Sequence, residues 1–413
     1  MLSVKANLLA SRGHEVSIVV LRLKGRKPFF PIDPSVNIVD LSAPYLSLPG
    51  HPSSANATSD SPRTTVSSAV GSTASPATGS ARTEGVAPVP STMASERLKG
   101  SVRKRLSRVV EMLDPDVCVS LCGPEVRILP AVAGGRPCVA EYHFSHDKFY
   151  RKYGGIFMYP YAWLRTHMLE RAVSEYDCMV TLTEHDLPIW KRHCRRVERI
   201  FNPVTTPPGQ VSRLAEKRMI AVGRLEDQKN FKDLVSAWSI VAERCPDWRL
   251  EIFGEGKLEH ALRSQIARLG LTGSVILRGV VKDIASEYSN SSALLMTSLH
   301  EGFPLALVEA SSFGLPLISY DCPTGPSEII VDAGDGGDAG NVPAATLDQA
   351  AGNSPNGYLV PVGDVRTLAD RICRIASDDN LRLRLGAASK ASSHRFTPET
   401  IISAWEHLFF SLL

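Results

Sequence analysis

Two glutamates eight positions apart, Glu301 and Glu309, are the residues whose spacing most clearly suggests chemistry. Between them, Gly302-Phe303-Pro304-Leu305 forms a turn that leads into an apolar run. Proline suits the first position of a helix, because its missing N–H would have no partner there. The pattern predicts a helix that starts at Pro304, with Glu301 in the loop before it and Glu309 about one and a half turns inside it.

The start of this helix is suited to an anion. The free N–H groups of Leu305, Ala306 and Leu307 would point out of the positive end of the helix dipole. One carboxylate could bind hydroxyl groups before the anion, and the other could bind hydroxyl groups behind it. A sugar, a diphosphate and a ribose in a row would match these positions. Taken alone, the pair is more simply a capping charge and a solvated helix residue.

A second set of residues follows a strand earlier in the chain. Residues 219–222 have the pattern of a buried strand that ends in Gly223-Arg224, and Lys229 follows on the same loop. Two cations at the carboxyl end of a strand suit a diphosphate. Gly254 also follows a strand, but the last position of the dinucleotide pattern that it opens is Glu259, which disfavours a nicotinamide site.

Together these stretches resemble the retaining family 4 glycosyltransferases of the GT-B fold. The resemblance is close over about residues 215–410 and looser before them. It implies an α/β protein with two Rossmann-like, doubly wound parallel-sheet domains that face a cleft. The matching stretches are Gly223-Arg224-Leu225 with Lys229-Asn230, followed by residues 252–256, 301–309, 325–330 and 357–364.

The resemblance also implies roles for single residues. Arg224 and Lys229 would neutralise the donor diphosphate, Glu309 would hold the ribose hydroxyls, and Glu301 would contact the transferred sugar. His143, which follows a first-domain strand, would contact that sugar too and is favoured over His146. The donor site would further include Gly223, Gly254, Gly302, Phe303, Pro304 and Leu305, with Phe303 closer to a packing role than to a chemical one.

The implied function is glycosyl transfer with retention from a nucleotide sugar, UDP-linked by family base rate, to a saccharide or lipid-linked saccharide. Surface polysaccharide or glycoconjugate synthesis is the expected setting. We expect no cofactor and no metal, because no Asp-x-Asp stands at a strand end and the two cations replace a metal's charge. The alternatives are a non-catalytic homologue that binds a nucleotide sugar or a partner enzyme, and another GT-B enzyme such as an epimerase or a phosphorylase.

The composition of the chain indicates how many domains it can form, which compartment it occupies and which partners it can have. The 413 residues are enough for two domains, and their net charge is +3, with 26 basic against 18 acidic residues before position 202. The eight cysteines show no C-x-x-C and no metal-like pairing with histidine, as expected of a reducing compartment. We therefore expect a cytoplasmic protein, with the basic half able to contact the inner face of the membrane, and no nucleic-acid partner.

The sequence predicts an acceptor-side domain over 1–201, a nucleotide-sugar domain over 202–395, and a last helix over 396–413 that returns to the first domain. Residues 46–96 are rich in Ser, Thr, Ala and Pro and predict a disordered insertion, and 332–356 predict a flexible loop. The resemblance calls for a first strand and a glycine-rich turn before residue 1. Their lack predicts a truncated start and a missing interior strand.

Overall fold

A computed structural model describes residues 1–23, 28, 30–43, 64–68, 91–152, 156–206, 209–334 and 354–413. They form two compact units. The first contains Met1–Thr181, Leu187–Ile200 and Ile402–Leu413, and the second contains Leu182–Asp186 and Phe201–Ile401. The chain thus leaves the first unit for the long part of the second between Ile200 and Phe201, one residue before the predicted domain boundary.

The first unit is built on a parallel seven-stranded sheet with the order β2-β1-β3-β4-β5-β6-β7. The strands β4, β5 and β6 are buried along their whole length, as expected for a parallel sheet that is covered on both faces. The strands are β1 (Val16–Val20), β2 (Asn37–Asp40), β3 (Thr64–Ser68), β4 (Val117–Ser120), β5 (Cys138–Glu141), β6 (Cys178–Thr181) and β7 (Val197–Arg199).

Strand β3 corrects two expectations. It lies inside the segment 46–96 that was predicted to be disordered, and it pairs with β1 on one side and β4 on the other. The sheet therefore has no gap at the place where an interior strand was predicted to be missing, since β3 lies between β1 and β4. The sequence Thr-Thr-Val at its start favours an extended backbone, and two neighbouring strands satisfy its hydrogen bonds. Residues 44–63 and 69–90 lie outside the described residues.

Helices cover the first sheet. The helix α2 begins at Ser91, inside the segment 46–96 that was predicted to be disordered. The main core of this unit surrounds Leu106, Met179 and the fully buried Trp190. The helices are α1 (Leu2–Ser11), α2 (Ser91–Leu113), α3 (Leu129–Val132), α4 (Lys148–Lys152), α5 (Tyr159–Val173) and α6 (Leu187–Trp190).

The second unit has a parallel six-stranded sheet with the order β10-β9-β8-β11-β12-β13. The chain fills one half of the sheet outward from β8 and then returns to add β11 on the other side of β8. The point between β8 and β11 is therefore the topological switch point. The strands are β8 (Arg218–Val222), β9 (Arg249–Phe253), β10 (Val275–Gly279), β11 (Ala293–Met296), β12 (Leu317–Tyr320) and β13 (Gly357–Val360).

The second unit shows the alternation of strands and helices expected of a doubly wound parallel sheet. Asp283 caps α9 through the Ser286 N–H, and Asp378 caps α13 through the Leu381 N–H. Of the predicted loop 332–356, residues 335–353 lie outside the described part. The helices are α7 (Phe231–Arg244), α8 (Glu259–Arg268), α9 (Ile284–Ser289), α10 (Leu305–Ser312), α11 (Pro326–Ile329), α12 (Val365–Ser377), α13 (Asp379–Ser392) and α14 (Pro398–Phe410).

The last helix, α14, is shared by the two units, because the division falls between Ile401 and Ile402. Within the first unit its Glu406 accepts hydrogen bonds from Arg12 and lies 3.0 Å from Nε2 of His14. Throughout the described residues, we find no helix that combines the length and the apolarity needed to cross a bilayer.

Candidate active site

A cavity of about 380 Å³ opens at the carboxyl ends of β8, β9 and β10 in the second unit. This edge of a parallel sheet, beside the switch point, is where such folds bind ligands. The cavity brings together four predicted residues from three separate stretches of sequence, namely Gly223, Arg224, Gly254 and Glu309. Its other lining residues are Val222, Phe253, Glu255, Gly279, Val280, Val281 and Ile284.

Two of the glycines at this edge, Gly223 and Gly254, leave room for close approach of their neighbours, and of these two only Gly254 has a backbone that excludes a side chain. Gly254 has a φ of +138°, and a Cβ there would lie 1.9 Å from the carbonyl oxygen of Gly223. A Cβ on Gly223 would in turn meet the Lys229 side chain at 3.0 Å. The glycines let the ends of β8 and β9 approach each other closely and let Lys229 pass over them. A direct contact of either glycine with a donor stays a prediction.

The predicted cations differ in their surroundings. Nζ of Lys229 lies 2.6 Å from Oε1 of Glu301, and their side chains are 17% and 9% exposed. Arg224 is 66% exposed, and its Nη1 lies 3.3 Å from Oε2 of Glu226, two residues later on the same loop. The structure thus joins two residues that the sequence placed in separate motifs, and it leaves the Arg224 guanidinium at the cavity rim.

Further bonds across the switch point hold the Lys229 loop in place. The backbone N–H of Leu299 donates to the carbonyl of Gln228 at 2.8 Å, and Nε2 of Gln228 donates to the carbonyl of His300 at 2.8 Å. The hydroxyl of Thr297 donates to the carbonyl of Lys229 at 3.0 Å. Gln228 and Thr297 were not predicted from sequence, although each stands at a strand end or beside a predicted residue.

The turn before α10 differs in detail from the prediction. Pro304 is the N-cap, and the helix begins at Leu305. The N–H of Leu307 donates to the carbonyl of Pro304 at 3.0 Å, so it is not one of the free donors that were expected. Phe303 is 8% exposed and stacks on Phe201 with ring centroids 5.3 Å apart, which makes it a core residue.

The lining of the cavity, as far as the structure describes it, does not include Gly302, Phe303, Pro304 or Leu305. Leu305 packs beside the apolar core and Pro304 is buried. These four residues therefore shape the turn that positions Glu301 and α10. Their direct contact with a donor stays a prediction.

Glu309 lies on α10 and faces the cavity, where two hydroxyl groups hold its carboxylate. Tyr288 donates to Oε2 at 3.1 Å and Thr205 donates to Oε1 at 2.9 Å. Burial, together with the Glu309 charge, raises the pKa of Tyr288 well above its usual value, so that Tyr288 stays a donor. Tyr288 was not predicted from sequence, because an isolated tyrosine in a helix carries no recognisable signal.

His143 belongs to the first unit and follows β5 as predicted. Its Nε2 lies 3.2 Å from Oε1 of Glu141, the last residue of β5, and that carboxylate also accepts a hydrogen bond from Lys5. Burial disfavours the Glu141 charge, but Lys5 and His143 outweigh it and lower the pKa of Glu141 to about 2. His146 forms a separate contact with Glu170 at 2.8 Å. The carboxylate of Glu141 therefore orients the His143 ring.

Comparison with known proteins gives this geometry a family context. Residues 207–392 match the family model of glycosyl transferases group 1. An uncharacterized glycosyltransferase of Haemophilus influenzae is 24% identical over 404 residues, which are 97% of this chain and 92% of that protein. The amylovoran biosynthesis glycosyltransferase AmsD of Erwinia amylovora is 30% identical over 193 residues, which are 47% of this chain and 48% of AmsD.

Among solved structures, Anabaena HepE in complex with UDP and glucose has a TM-score of 0.59 with this chain at 16% identity. The similarity covers 84% of this chain and 92% of HepE. The predicted fold class is confirmed: this is a GT-B fold built from Rossmann-like parallel sheets. The chain spans nearly the whole length of the Haemophilus relative and about half of AmsD.

Proposed function

We propose that this chain is a retaining, metal-independent hexosyltransferase of family 4. It would move a sugar from a UDP-linked donor to a saccharide or lipid-linked saccharide during surface polysaccharide or glycoconjugate synthesis. The observation that carries the proposal is the cavity at the carboxyl ends of β8, β9 and β10, which has Glu309 in its wall and Arg224 at its rim. The matches to group 1 glycosyltransferases and to AmsD, named for amylovoran biosynthesis, support the same activity and setting.

Glu309 is suited to the ribose of the donor. Both of its carboxylate oxygens already accept hydrogen bonds from hydroxyl groups, those of Tyr288 and Thr205. Each oxygen has a second acceptor position, so a ribose could donate its two hydroxyls to the same carboxylate. Hydrogen bonds to a charged acceptor are worth about 1.5–3 kcal/mol each, enough for a strong preference for nucleosides. HepE, which has a similar fold, was solved in complex with UDP and glucose.

Lys229 and Arg224 are suited to the diphosphate. The ammonium group of Lys229 has three N–H donors, and its ion pair with Glu301 uses one of them. Lys229 can therefore hold a phosphate oxygen and keep Glu301 in place at the same time. As the bond between the sugar and the phosphate breaks, the diphosphate gains negative charge. Fixed cations stabilise that state more than the ground state, so no metal is needed for this purpose.

The transfer itself needs one bond to break and one to form on the same face of the sugar. The anomeric C–O bond to the phosphate breaks, and the acceptor oxygen bonds to the anomeric carbon. The acceptor proton passes to the departing phosphate oxygen, so no stable covalent intermediate forms. Glu301, held by Lys229, would bind hydroxyls of the transferred sugar. The same role for His143, which Glu141 orients, stays a prediction.

A peripheral contact with the inner face of the membrane would suit a lipid-linked acceptor. Large apolar side chains are exposed at the start of α5 and on the two residues before it, Phe157 and Met158. Phe157 is 95% exposed, Tyr159 60% and Trp163 53%. Lys152 and Arg165, which are also exposed, add positive charge to the same stretch. Aromatic and basic residues together are typical of surfaces that rest on anionic lipid.

Calorimetric titration with UDP, GDP, ADP and NAD tests the donor site. We expect one nucleoside diphosphate, UDP, to bind to the wild-type chain and binding to fall at least about 100-fold in Glu309→Ala. Glu259→Ala is the matched control, because Glu259 is a partly exposed glutamate on α8 that pairs with Arg263 and does not line the cavity. Binding that survives unchanged in Glu309→Ala would refute the site.

Turnover separates the proposal from its alternatives. We expect a retained anomeric configuration in the product and full dependence on an added saccharide acceptor. Conversion of the donor without an acceptor would indicate an epimerase. Nucleotide binding without turnover across a panel of UDP-sugars and acceptors would indicate a non-catalytic homologue.

A further inference from the structure

A cluster of two histidines and a glutamate lies in the first unit, apart from the residues assigned above. Nε2 of His146 is 2.8 Å from Oε1 of Glu170, and Nε2 of His193 is 3.4 Å from the same oxygen. The His146 and His193 rings are stacked, with planes 14° apart and centroids 6.5 Å apart. The side chains are partly buried, with 16%, 14% and 31% of His146, Glu170 and His193 exposed.

Three separate elements supply these residues. His146 lies in the segment after β5, Glu170 lies in the last turns of α5, and His193 follows α6. They are 24 and 23 positions apart, so no short motif in the sequence reveals them. The neighbouring Trp190 is fully buried and packs edge-on against the His146 ring, with ring centroids 5.0 Å apart. The fold thus holds the three side chains on well-packed supports.

The geometry matches a divalent metal site. One ligand atom from each residue lies within 4.8 Å of the other two. Two ligands at about 2.0–2.2 Å from a tetrahedral Zn²⁺ are separated by roughly 3.3–3.6 Å. The observed separations of 2.8 and 3.4 Å bracket the lower end of that range, so small side-chain rotations would admit the ion.

We propose that His146, Glu170 and His193 bind one Zn²⁺ ion. Two imidazoles and one carboxylate form a donor set that suits zinc, and a water would complete the tetrahedron. A fourth residue supports the set: Nδ1 of His167, one turn before Glu170, lies 3.5 Å from the second carboxylate oxygen. An outer partner of this kind fixes the orientation of a ligating carboxylate.

The ion would have a structural role. It would tie the segment after β5 to α5 and to the residues after α6, all within the first unit. His143, the predicted sugar contact, lies three residues before His146 on that segment. The proposed zinc therefore stiffens the support of His143 and takes no direct part in glycosyl transfer.

Titration of the metal-stripped full chain with Zn²⁺ against a chromogenic chelator tests the proposal. We expect one site, with affinity at least about 100-fold lower in His146→Gln and in His193→Gln, and about 10-fold lower in His167→Gln. His260→Gln is the matched control, because His260 is an exposed histidine on α8 of the other unit. Circular dichroism reports whether each variant is folded.

The absorption spectrum of bound Co²⁺ shows whether the metal binds to this cluster or to cysteine thiolates. Co²⁺ in a site made of nitrogen and oxygen should give visible d–d bands without a sulfur-to-cobalt charge-transfer band in the near ultraviolet. A charge-transfer band, equal affinity in the folded histidine variants, or no Zn²⁺ binding by the wild-type chain at micromolar concentration would each overturn the proposal. The last result requires no variant and so does not depend on variant folding.

Discussion

The buried ion pair of Lys5 and Glu141 gives the sharpest prediction about the first unit. Lys5 is 6% exposed and Glu141 is 2% exposed, and the pair joins α1 to the end of β5. The variant Lys5→Met removes the ammonium group, and Glu141 then keeps only its contact with the His143 ring. Removing one partner of a buried pair leaves an uncompensated charge and costs about 3–5 kcal/mol. We expect the first unit to lose stability by that amount.

Urea unfolding followed by hydrogen–deuterium exchange is the assay, because it resolves the two units, which need not unfold together. A loss of about 3–5 kcal/mol should lower the midpoint for peptides of β5 by about 1–3 M urea, with peptides of the second unit unchanged. Lys5→Met combined with Glu141→Leu should recover most of the loss, because neither charge is then left unpaired. A shift below about 0.5 M, or a double variant no more stable than the single one, would refute the reasoning.

The same pair predicts a pH dependence. The pKa of Glu141 is about 2 in the folded chain against an ordinary 4.5. Because the folded pKa is the lower one, the carboxylate stabilises the folded state above about pH 4.5, and this contribution is lost as the pH falls towards 2. In Lys5→Met burial is opposed less, so the folded pKa of Glu141 should rise and the stability that is lost between about pH 4.5 and 2 should become smaller. An equally steep loss of stability over this pH range in the two proteins would contradict this.

Three further predictions concern other parts of the chain. Gly254→Ala should destabilise the second unit by at least about 2 kcal/mol in thermal unfolding, because it adds a clash to an unfavourable φ. Gly273→Ala, where a Cβ meets nothing within 4 Å, is its control and should change little. Tyr288→Phe removes one donor to Glu309, so UDP affinity should fall about 3- to 10-fold in calorimetry with the fold unchanged. Trp163→Ser should weaken sedimentation with anionic vesicles on the order of tenfold, with neutral vesicles as the control.

Much of the second unit is predictable from sequence because its signals are local. Buried parallel strands such as β8 and β11 are runs of apolar residues, and the helices between them have apolar faces and polar caps. The turn 302–304 is also local, since glycine and proline restrict or permit particular backbone angles. The short helix α9 and the strand β13 cannot be identified from sequence in this way, because four to six residues give too little periodicity to distinguish them from a loop.

The strand β3 shows the limit of composition as a guide. Its surroundings are rich in Ser, Thr, Ala and Pro, and that composition predicts disorder for the whole segment. The pairing of β3 with β1 and β4 depends on two strands that lie 44 or more residues away from it on each side. Such pairing energy is non-local, so no window of sequence around residue 64 reveals it.

The sequence by itself determined the fold class and the residue types at the donor edge: glycines at strand ends, two cations on one loop, and glutamates on either side of a helix start. The tertiary structure decided which of these residues meet. It paired Lys229 with Glu301, gave Glu309 the hydroxyl of Tyr288, joined His143 to Glu141, and gathered His146, Glu170 and His193. Spacing along the chain fixes what lies on one element, but a contact between elements depends on how the sheet orders them.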